Sequence, residues 1–340
     1  MLAPAGSAQS RQRPPNIVLI VSDNQAYVDI GAFGAKDAVT PNLDRTAADG
    51  IMATSFYVTS PACTPSRGSI LTGRYPQRNG LYEMIRNEMV RYGHRYTPEE
   101  YAYSPEMTLG MDPREINCGE MMKSAGYATA AIGKWDSGRA KRYLPTRNGF
   151  DYFYGLPITG IDYWTHDRYG VPSMFRNEEL VKEEGFSEEL FTREALRFIG
   201  RNRDQPFFLY LAYHAPSGTA DLDDQRIYPP QKYLDLYPGL DPTERRTEYL
   251  DMLPVLQRKM DSPRTEMFWK SRHSRAARVG NFKWIVAPQL DGLFDLANDP
   301  GEASDLSASR PDILAFVKAR WDNWNREMEH AEPRGPFRDY

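Results

Sequence analysis

Residues 16–22 read Asn-Ile-Val-Leu-Ile-Val-Ser, and this run limits the possible folds more than any other stretch of the chain. The apolar side chains Ile17 to Val21 are too few for a helix and lack the alternation of a half-wetted strand. They predict a strand buried on both faces, as in a parallel sheet. Similar runs return at Tyr127 to Ile132 and at Phe207 to Tyr213, and a further strand is expected at Ile51 to Val58. Helical stretches lie between them. Thr40-Pro41 opens one, with Thr40 as N-cap and Pro41 at the first helical position, and Gly50 closes it. Ile116 to Ala125 forms another, and Ser187 caps a third whose Phe191, Ala195 and Phe198 recur at helical spacing. Strands alternating with helices predict an α/β core with a largely parallel sheet, whose sites gather at the C-terminal ends of the strands.

Past residue 270 the texture changes. Ala277 to Val279, the pair Gly280-Asn281 and Phe282 to Ile285 read as a hairpin with a two-residue turn, and Leu293 to Leu296 adds a strand. A last helix from Pro311 to Met328 places Ile313, Val317, Trp321, Trp324 and Met328 on one face. Tyr228 to Thr247 is rich in Pro and charge and reads as surface.

With 340 residues, 41% of them hydrophobic, the chain can bury a core of one large or two ordinary domains. A formal net charge of -4 without any Lys/Arg run excludes a nucleic-acid partner. No apolar run reaches the roughly 20 residues of a membrane span. Cys63 and Cys118 are the only cysteines, too few for a disulfide framework, and Cys118 on its helix is expected as a small buried apolar group. Met1 to Ser10 is rich in small residues, and Gly6-Ser7-Ala8 resembles the cleavage end of a secretory signal without the charged and apolar parts that precede one. Residues 1–15 are therefore either the remnant of an export signal or an ordinary tail.

The chemistry concentrates at residues 63–74, Cys-Thr-Pro-Ser-Arg-Gly-Ser-Ile-Leu-Thr-Gly-Arg. Cys63 is expected on a tight turn, with Pro65 and Ser66 starting a helix whose N–H groups point back at the side chain. Such a helix start favours sulfate-like anions, and Arg67, one turn on, adds a fixed cation. These residues alone leave open a reactive cysteine and a thiol that merely caps the helix.

This stretch resembles the signature of the sulfatase family, Cys-x-Pro-Ser-Arg followed by Leu-Thr-Gly-Arg, with Cys63, Pro65, Ser66, Arg67, Leu71, Thr72, Gly73 and Arg74 at every fixed position. The resemblance extends over Asn16 to Gly34, Thr40 to Gly50, Gly126 to Trp135, Leu144 to Gly155, Pro206 to Pro216 and Arg278 to Leu306. It implies an alkaline-phosphatase-like α/β fold: a mixed, largely parallel sheet flanked by helices, plus a small C-terminal antiparallel sheet with one helix. Residues 16–250 would be an incomplete catalytic domain and 251–340 a C-terminal subdomain. The implied activity is hydrolysis of sulfate esters, with a sulfated carbohydrate as the preferred substrate. A maturation enzyme reads Cys63, Pro65 and Arg67 and oxidises the thiol to formylglycine; one hydroxyl of the hydrated aldehyde attacks sulfur, and the other later expels sulfate. A divalent cation, calcium in most relatives, would be held by Asp23, Asn24 and the converted Cys63, with Asn24 replacing the usual Asp.

The resemblance assigns a sulfate contact to Lys134 in Gly133-Lys134-Trp135, and puts Asp136 where the family commonly has His. His214-Ala215-Pro216-Ser217 stands for the usual Asn-Ala-Pro-His, so the family's sulfate-binding His falls on Ser217. His214 is then either a substitute donor or leaving-group acid, or a structural residue. Tyr163 to His166 lines a pocket or packs as an aromatic loop.

Two family features are missing: a second metal pair, Asp-Asn-Gly, and a second active-site lysine. The text passes from Arg245 to Leu250 directly into Asp251 to Leu256, which implies an internal deletion near Tyr249 to Asp251. A central strand contributes several large side chains worth about 1.5–3 kcal/mol each, against a net domain stability of about 5–15 kcal/mol. Its loss predicts an exposed apolar sheet edge, weak calcium binding and poor turnover. Other readings are an impaired remnant that binds sulfated glycans, or a metal-dependent phosphoesterase with Cys63 unmodified. Intact Pro65 and Arg67 count against the last.

Overall fold

The computed structural model describes residues 13–331 except 37, 54–55, 86–93, 219–228, 237–264, 272–273 and 289. The expected junction near Tyr249 to Asp251, most of Tyr228 to Thr247 and all of Met1 to Ser10 lie outside the described residues. Strand β1 is Ile17–Val21, β2 Ala128–Lys134, β3 Tyr152–Leu156, β4 Phe175–Arg176, β5 Glu179–Leu180 and β6 Phe207–Ala212. They form one sheet in the order β1-β6-β2-β3-β4-β5. The first four strands in that order run parallel, and the β4–β5 hairpin closes the far edge antiparallel. This is the mixed, largely parallel α/β sheet expected, with β2 reaching past Ile132 to deliver Lys134.

Helices α1 (Pro41–Asp49), α2 (Cys63–Thr72), α3 (Cys118–Ser124) and α4 (Ser187–Asn202) connect and flank the strands. Leu190, Phe191, Ala195 and Phe198 of α4 join Ala130 and Ile132 of β2 and Leu209 and Leu211 of β6 in one apolar cluster. On the opposite face Phe208, Tyr210, Phe153 and Phe150 meet Leu71 of α2 and half-buried Cys118 of α3. Cys118 is thus less buried than expected, because α3 shows only one flank to the core. Asn117 caps α3 by accepting from the N–H groups of Gly119 and Glu120 at 2.7 and 3.3 Å, while Glu120 accepts from the Asn117 N–H at 3.0 Å.

Four local expectations are corrected. β1 is not buried on both faces: Ile17, Leu19 and Val21 pack inward, but Val18 and Ile20 are 43% and 61% exposed. Val18 lies beside Leu209 and Ile20 beside Leu211, which α4 covers, but β1 is the edge strand and no described element covers it. β1 thus presents an apolar edge among the described residues. Residues 51–58 form no strand among those described; Ile51 and Phe56 are 89% and 74% exposed, so this segment never joins the sheet. Thr40 stands at the N-cap of α1 without capping it, because its hydroxyl accepts from the Gly31 N–H (2.8 Å) and donates to Asp44 (3.0 Å). Ser187 is the first helical residue rather than the cap, and its buried hydroxyl has no partner among the described residues.

The C-terminal part is a four-stranded antiparallel sheet of β7 (Glu266–Ser271), β8 (Ser274–Val279), β9 (Phe282–Ala287) and β10 (Leu290–Asp295). The two-residue turn falls at Gly280-Asn281, with Gly280 at φ 60° as such a turn requires. Helix α5 (Pro311–His330) lays Val317, Trp321, Trp324 and Met328 on Phe268, Ala277, Trp284 and Leu293. This sheet also reaches back to the segment ahead of α2. The Trp269 indole N–H donates to the Val58 carbonyl at 2.8 Å, the Arg278 guanidinium to the Tyr57 hydroxyl at 3.0 Å, and Tyr75 packs edge-on against Trp324. Among the described residues no helix is long and apolar enough to cross a membrane.

Candidate active site

Helix α2 begins at Cys63 itself, two residues sooner than the Pro65-Ser66 start expected, with Ala62 in extended conformation as the residue before it. Thr64, Pro65, Arg67, Gly68, Ser69 and Leu71 are buried, so α2 runs through the protein rather than over its surface. Its start faces the C-terminal ends of three strands: Asp23 follows β1, Lys134 ends β2 and His214 follows β6. The strands approach so closely here that a Cβ on Gly133 would lie 1.9 Å from the Ala212 carbonyl oxygen. Gly133 also has φ 96°, so only glycine fits ahead of Lys134.

Asp23 is the centre of the site. One carboxylate oxygen, Oδ2, takes both Lys134 Nζ and Arg67 Nη2 at 2.8 Å. The other, Oδ1, accepts from Cys63 Sγ at 3.4 Å. Arg67 also donates to the Lys134 carbonyl (2.8 Å), the Tyr210 hydroxyl (3.3 Å) and the Tyr213 carbonyl (3.5 Å), tying α2 to strands β2 and β6. Asp136, at φ 52°, accepts from the Thr64 hydroxyl at 3.0 Å, and its second oxygen is buried without a partner among the described residues. The His214 ring stacks on Tyr163 with centroids 4.7 Å apart, and its Nδ1 likewise lacks a partner. The backbone at His214 and Ala215 is held by Glu188 of α4, whose Oε1 accepts both N–H groups at 3.0 and 2.7 Å. Asn24 donates to the Ser217 hydroxyl at 3.2 Å, and Tyr163 to the Ser217 carbonyl at 2.6 Å.

The structure therefore brings Asp23, Cys63, Arg67 and Lys134 into direct contact and sets Asp136 and His214 beside them. Asn24 and Ser217 pair with each other on the exposed rim. Arg74 of the same motif points elsewhere, to Glu115 at 3.0 Å. His166 is structural, bonded to the Gly185 carbonyl at 2.9 Å. Glu188, Thr64 and Tyr210 belong to the site but were not singled out. A Glu in the first turn of a helix is too common to stand out, Thr64 fills the variable position of the motif, and Tyr210 looks like any strand aromatic.

Burial raises the Asp23 carboxyl, but Lys134 and Arg67 outweigh it and hold the group well below the usual carboxylate range. Cys63 is half-buried as a residue, but desolvation pushes its thiol up to about 11, with Lys134 pulling the other way. Burial raises Asp136 to about 6, and it raises Glu188 to about 7 against the two backbone N–H groups that favour its charge. Burial, helped by Lys134, lowers His214 to about 3, so the imidazole is neutral.

These shifts set a pH dependence. Asp136 and Glu188 keep protons in the folded chain that the unfolded chain releases above about pH 4, so each loses stabilisation as pH rises towards 6 and 7. His214 acts oppositely, gaining as pH rises from about 3 to 6.5. Comparing one variant with wild type isolates a single group: Glu188→Gln should gain in melting temperature relative to wild type as pH rises from 4.5 to 7, because it lacks the stabilisation that Glu188 loses over that window. A difference between the two proteins that stays constant over this window would show the assignment to Glu188 to be wrong.

Among the described residues no group of three or more His, Cys, Asp or Glu side chains is placed to hold a metal. Calcium takes six to eight oxygen ligands. Here Asp23 Oδ2 is engaged by two cations and the Asn24 amide is turned to Ser217. The expected set of Asp23, Asn24 and Cys63 does not assemble into a calcium site.

Comparison with known proteins places this geometry. The sulfatase family model matches residues 15–256. The chain is 35% identical over 236 residues to N-acetylgalactosamine-6-sulfatase of Canis lupus familiaris, an alignment covering 64% of this chain and 43% of that one. The chain thus spans less than half the length of this curated relative. Among solved structures, Ps i-CgsB superposes with a TM-score of 0.73 at 20% identity, covering 94% of this chain and 95% of that one. A sulfatase from Pseudoalteromonas sp. superposes with a TM-score of 0.60 at 20% identity, covering 92% and 91%. At such identities these two likenesses concern the fold.

Proposed function

The chain belongs to the sulfatase family, and on that premise we propose that it cleaves sulfate esters through an aldehyde made from Cys63. The observation that carries this reading is the placement of Cys63 Sγ against Asp23, with Arg67 and Lys134 on the same carboxylate. A thiol pushed up to about 11 stays protonated at neutral pH and is a poor nucleophile, which speaks against an enzyme using Cys63 unmodified. Formylglycine fits where the sulfur stands, since Asp23 Oδ1 is positioned to accept from a hydroxyl there. When present, its hydrate supplies one hydroxyl to attack sulfur and a second that lets sulfate leave.

The remaining residues bind, orient and move protons. Arg67 and Lys134 present fixed positive charge to the sulfate oxygens. His214, neutral and with Nδ1 unpartnered among the described residues, is held by Tyr163 and Glu188 where its ring can hydrogen-bond the leaving oxygen. Ser217 and Asn24 contact the substrate at the rim, while Asp136, buried on Thr64, borders the sulfate from within. Because the donors among the described residues do not fit calcium, charge developing on the sulfate falls to these side chains, and turnover is slow. The same observation supports a second reading, a remnant that retains sulfated-ligand binding with negligible hydrolysis.

The substrate is a sulfated carbohydrate, as the name of N-acetylgalactosamine-6-sulfatase suggests for a relative. The modifying partner is a maturation enzyme that reads Cys63, Pro65 and Arg67. Residues 16–250 act as the catalytic domain and 251–340 as a subdomain, and the small-residue texture of Met1 to Ser10 supports export. Co-expression with a formylglycine-generating enzyme, followed by mass spectrometry of the Cys63 peptide and assay with an aryl sulfate, tests the proposal. The expected result is an aldehyde at residue 63 with slow turnover; two titratable thiols and no turnover would refute it.

A further inference from the structure

Lys134 and Asp23 are both buried, and the Lys134 ammonium has Asp23 as its only ion-pair partner among the described residues. Arg67 and Lys134 both reach one oxygen of Asp23 at 2.8 Å, and the Asp136 carboxyl is buried beside them on Thr64, so two side-chain cations already face two carboxyl groups. A divalent ion would add two charges that no described side chain balances, in a setting where unpaired buried charge is costly. We propose that Lys134 is the resident cation of this site: its ammonium occupies the position on Asp23 that a divalent metal would otherwise take, and the folded chain holds its site without one. The inference concerns the same residues as the proposed hydrolysis but does not depend on Cys63 being converted.

The test uses the full chain with Cys63 unmodified. Melting curves and calorimetric titration with calcium chloride, with and without a chelator, are compared for wild type, Lys134→Met and Lys134→Gln. The expected wild type shows no shift with calcium or chelator and no binding heat. A folded Lys134 variant should gain a calcium-dependent rise in melting temperature and bind calcium at least tenfold more tightly than wild type, and adding Asp23→Asn should abolish the gain. A wild type that is stabilised by calcium overturns the proposal even if neither variant folds, and so do folded variants that gain no calcium binding. Absence of an aldehyde or of turnover in the separate assay would end the hydrolytic reading and leave this result standing.

Discussion

Cys63→Ser in the maturase-coexpressed protein is expected to lower steady-state turnover of a sulfate ester by about 10³-fold or more, the scale seen when a nucleophile is removed from an intact site. Fold and stability should barely move. Among the described residues the sulfur's hydrogen-bond partner is Asp23 Oδ1 at 3.4 Å, and a serine hydroxyl can donate to the same oxygen. Stability should therefore stay within about 1 kcal/mol of wild type, as for changes that open no cavity and strand no polar group. Serine offers one hydroxyl and no route to an aldehyde, so it can take up sulfate once and then cannot release it. The variant should show at most one turnover per chain, readable as sulfate mass retained on the residue 63 peptide. Undiminished steady-state turnover would mean that residue 63 is not the nucleophile.

The second large effect is structural. Removing the Arg67 side chain as Arg67→Leu should destabilise the protein by about 3–5 kcal/mol, the penalty for breaking one side of a buried ion pair. Arg67 is buried and bonded to Asp23, Lys134 O, Tyr210 and Tyr213 O, so its loss unties α2 from β2 and β6 while stranding these acceptors. Against a total of about 5–15 kcal/mol, such a loss should lower the urea midpoint severely. Arg67→Lys should recover only part, because an ammonium cannot reproduce the planar fork. Lys134 remains on Asp23, so Asp23→Asn in the Arg67→Leu background should cost less than in wild type; additive effects in that cycle would show that the pair does not interact.

Much of the layout was readable before any coordinates. Short apolar runs at 17–21, 128–132 and 207–212 mark strands because nothing else buries so many β-branched and aromatic side chains in so few residues. The C-terminal hairpin announced itself through Gly280-Asn281, and α5 through its spaced Val317, Trp321, Trp324 and Met328. What failed depended on neighbours far off in the chain. Ile51 to Val58 has strand composition, but its partners are Trp269 and Arg278, more than two hundred residues on. The exposure of Val18 and Ile20 follows from edge position, which a run of letters does not record. At the site, motif residues Cys63 and Arg67 and the strand-end residues Asp23 and Lys134 were legible. That both cations would converge on one oxygen of Asp23 was not, since it depends on how three strand ends and a helix start meet.

The bonds from Trp269 and Arg278 to the segment around Val58 and Tyr57 carry a consequence for the whole molecule. They make the distal sheet a clasp on the cord that leads to residue 63. Severing the polypeptide ahead of Glu266 would slacken that cord while leaving every group in the reaction centre chemically untouched. Damage at the tail end would then surface as a reactive residue that has lost its aim.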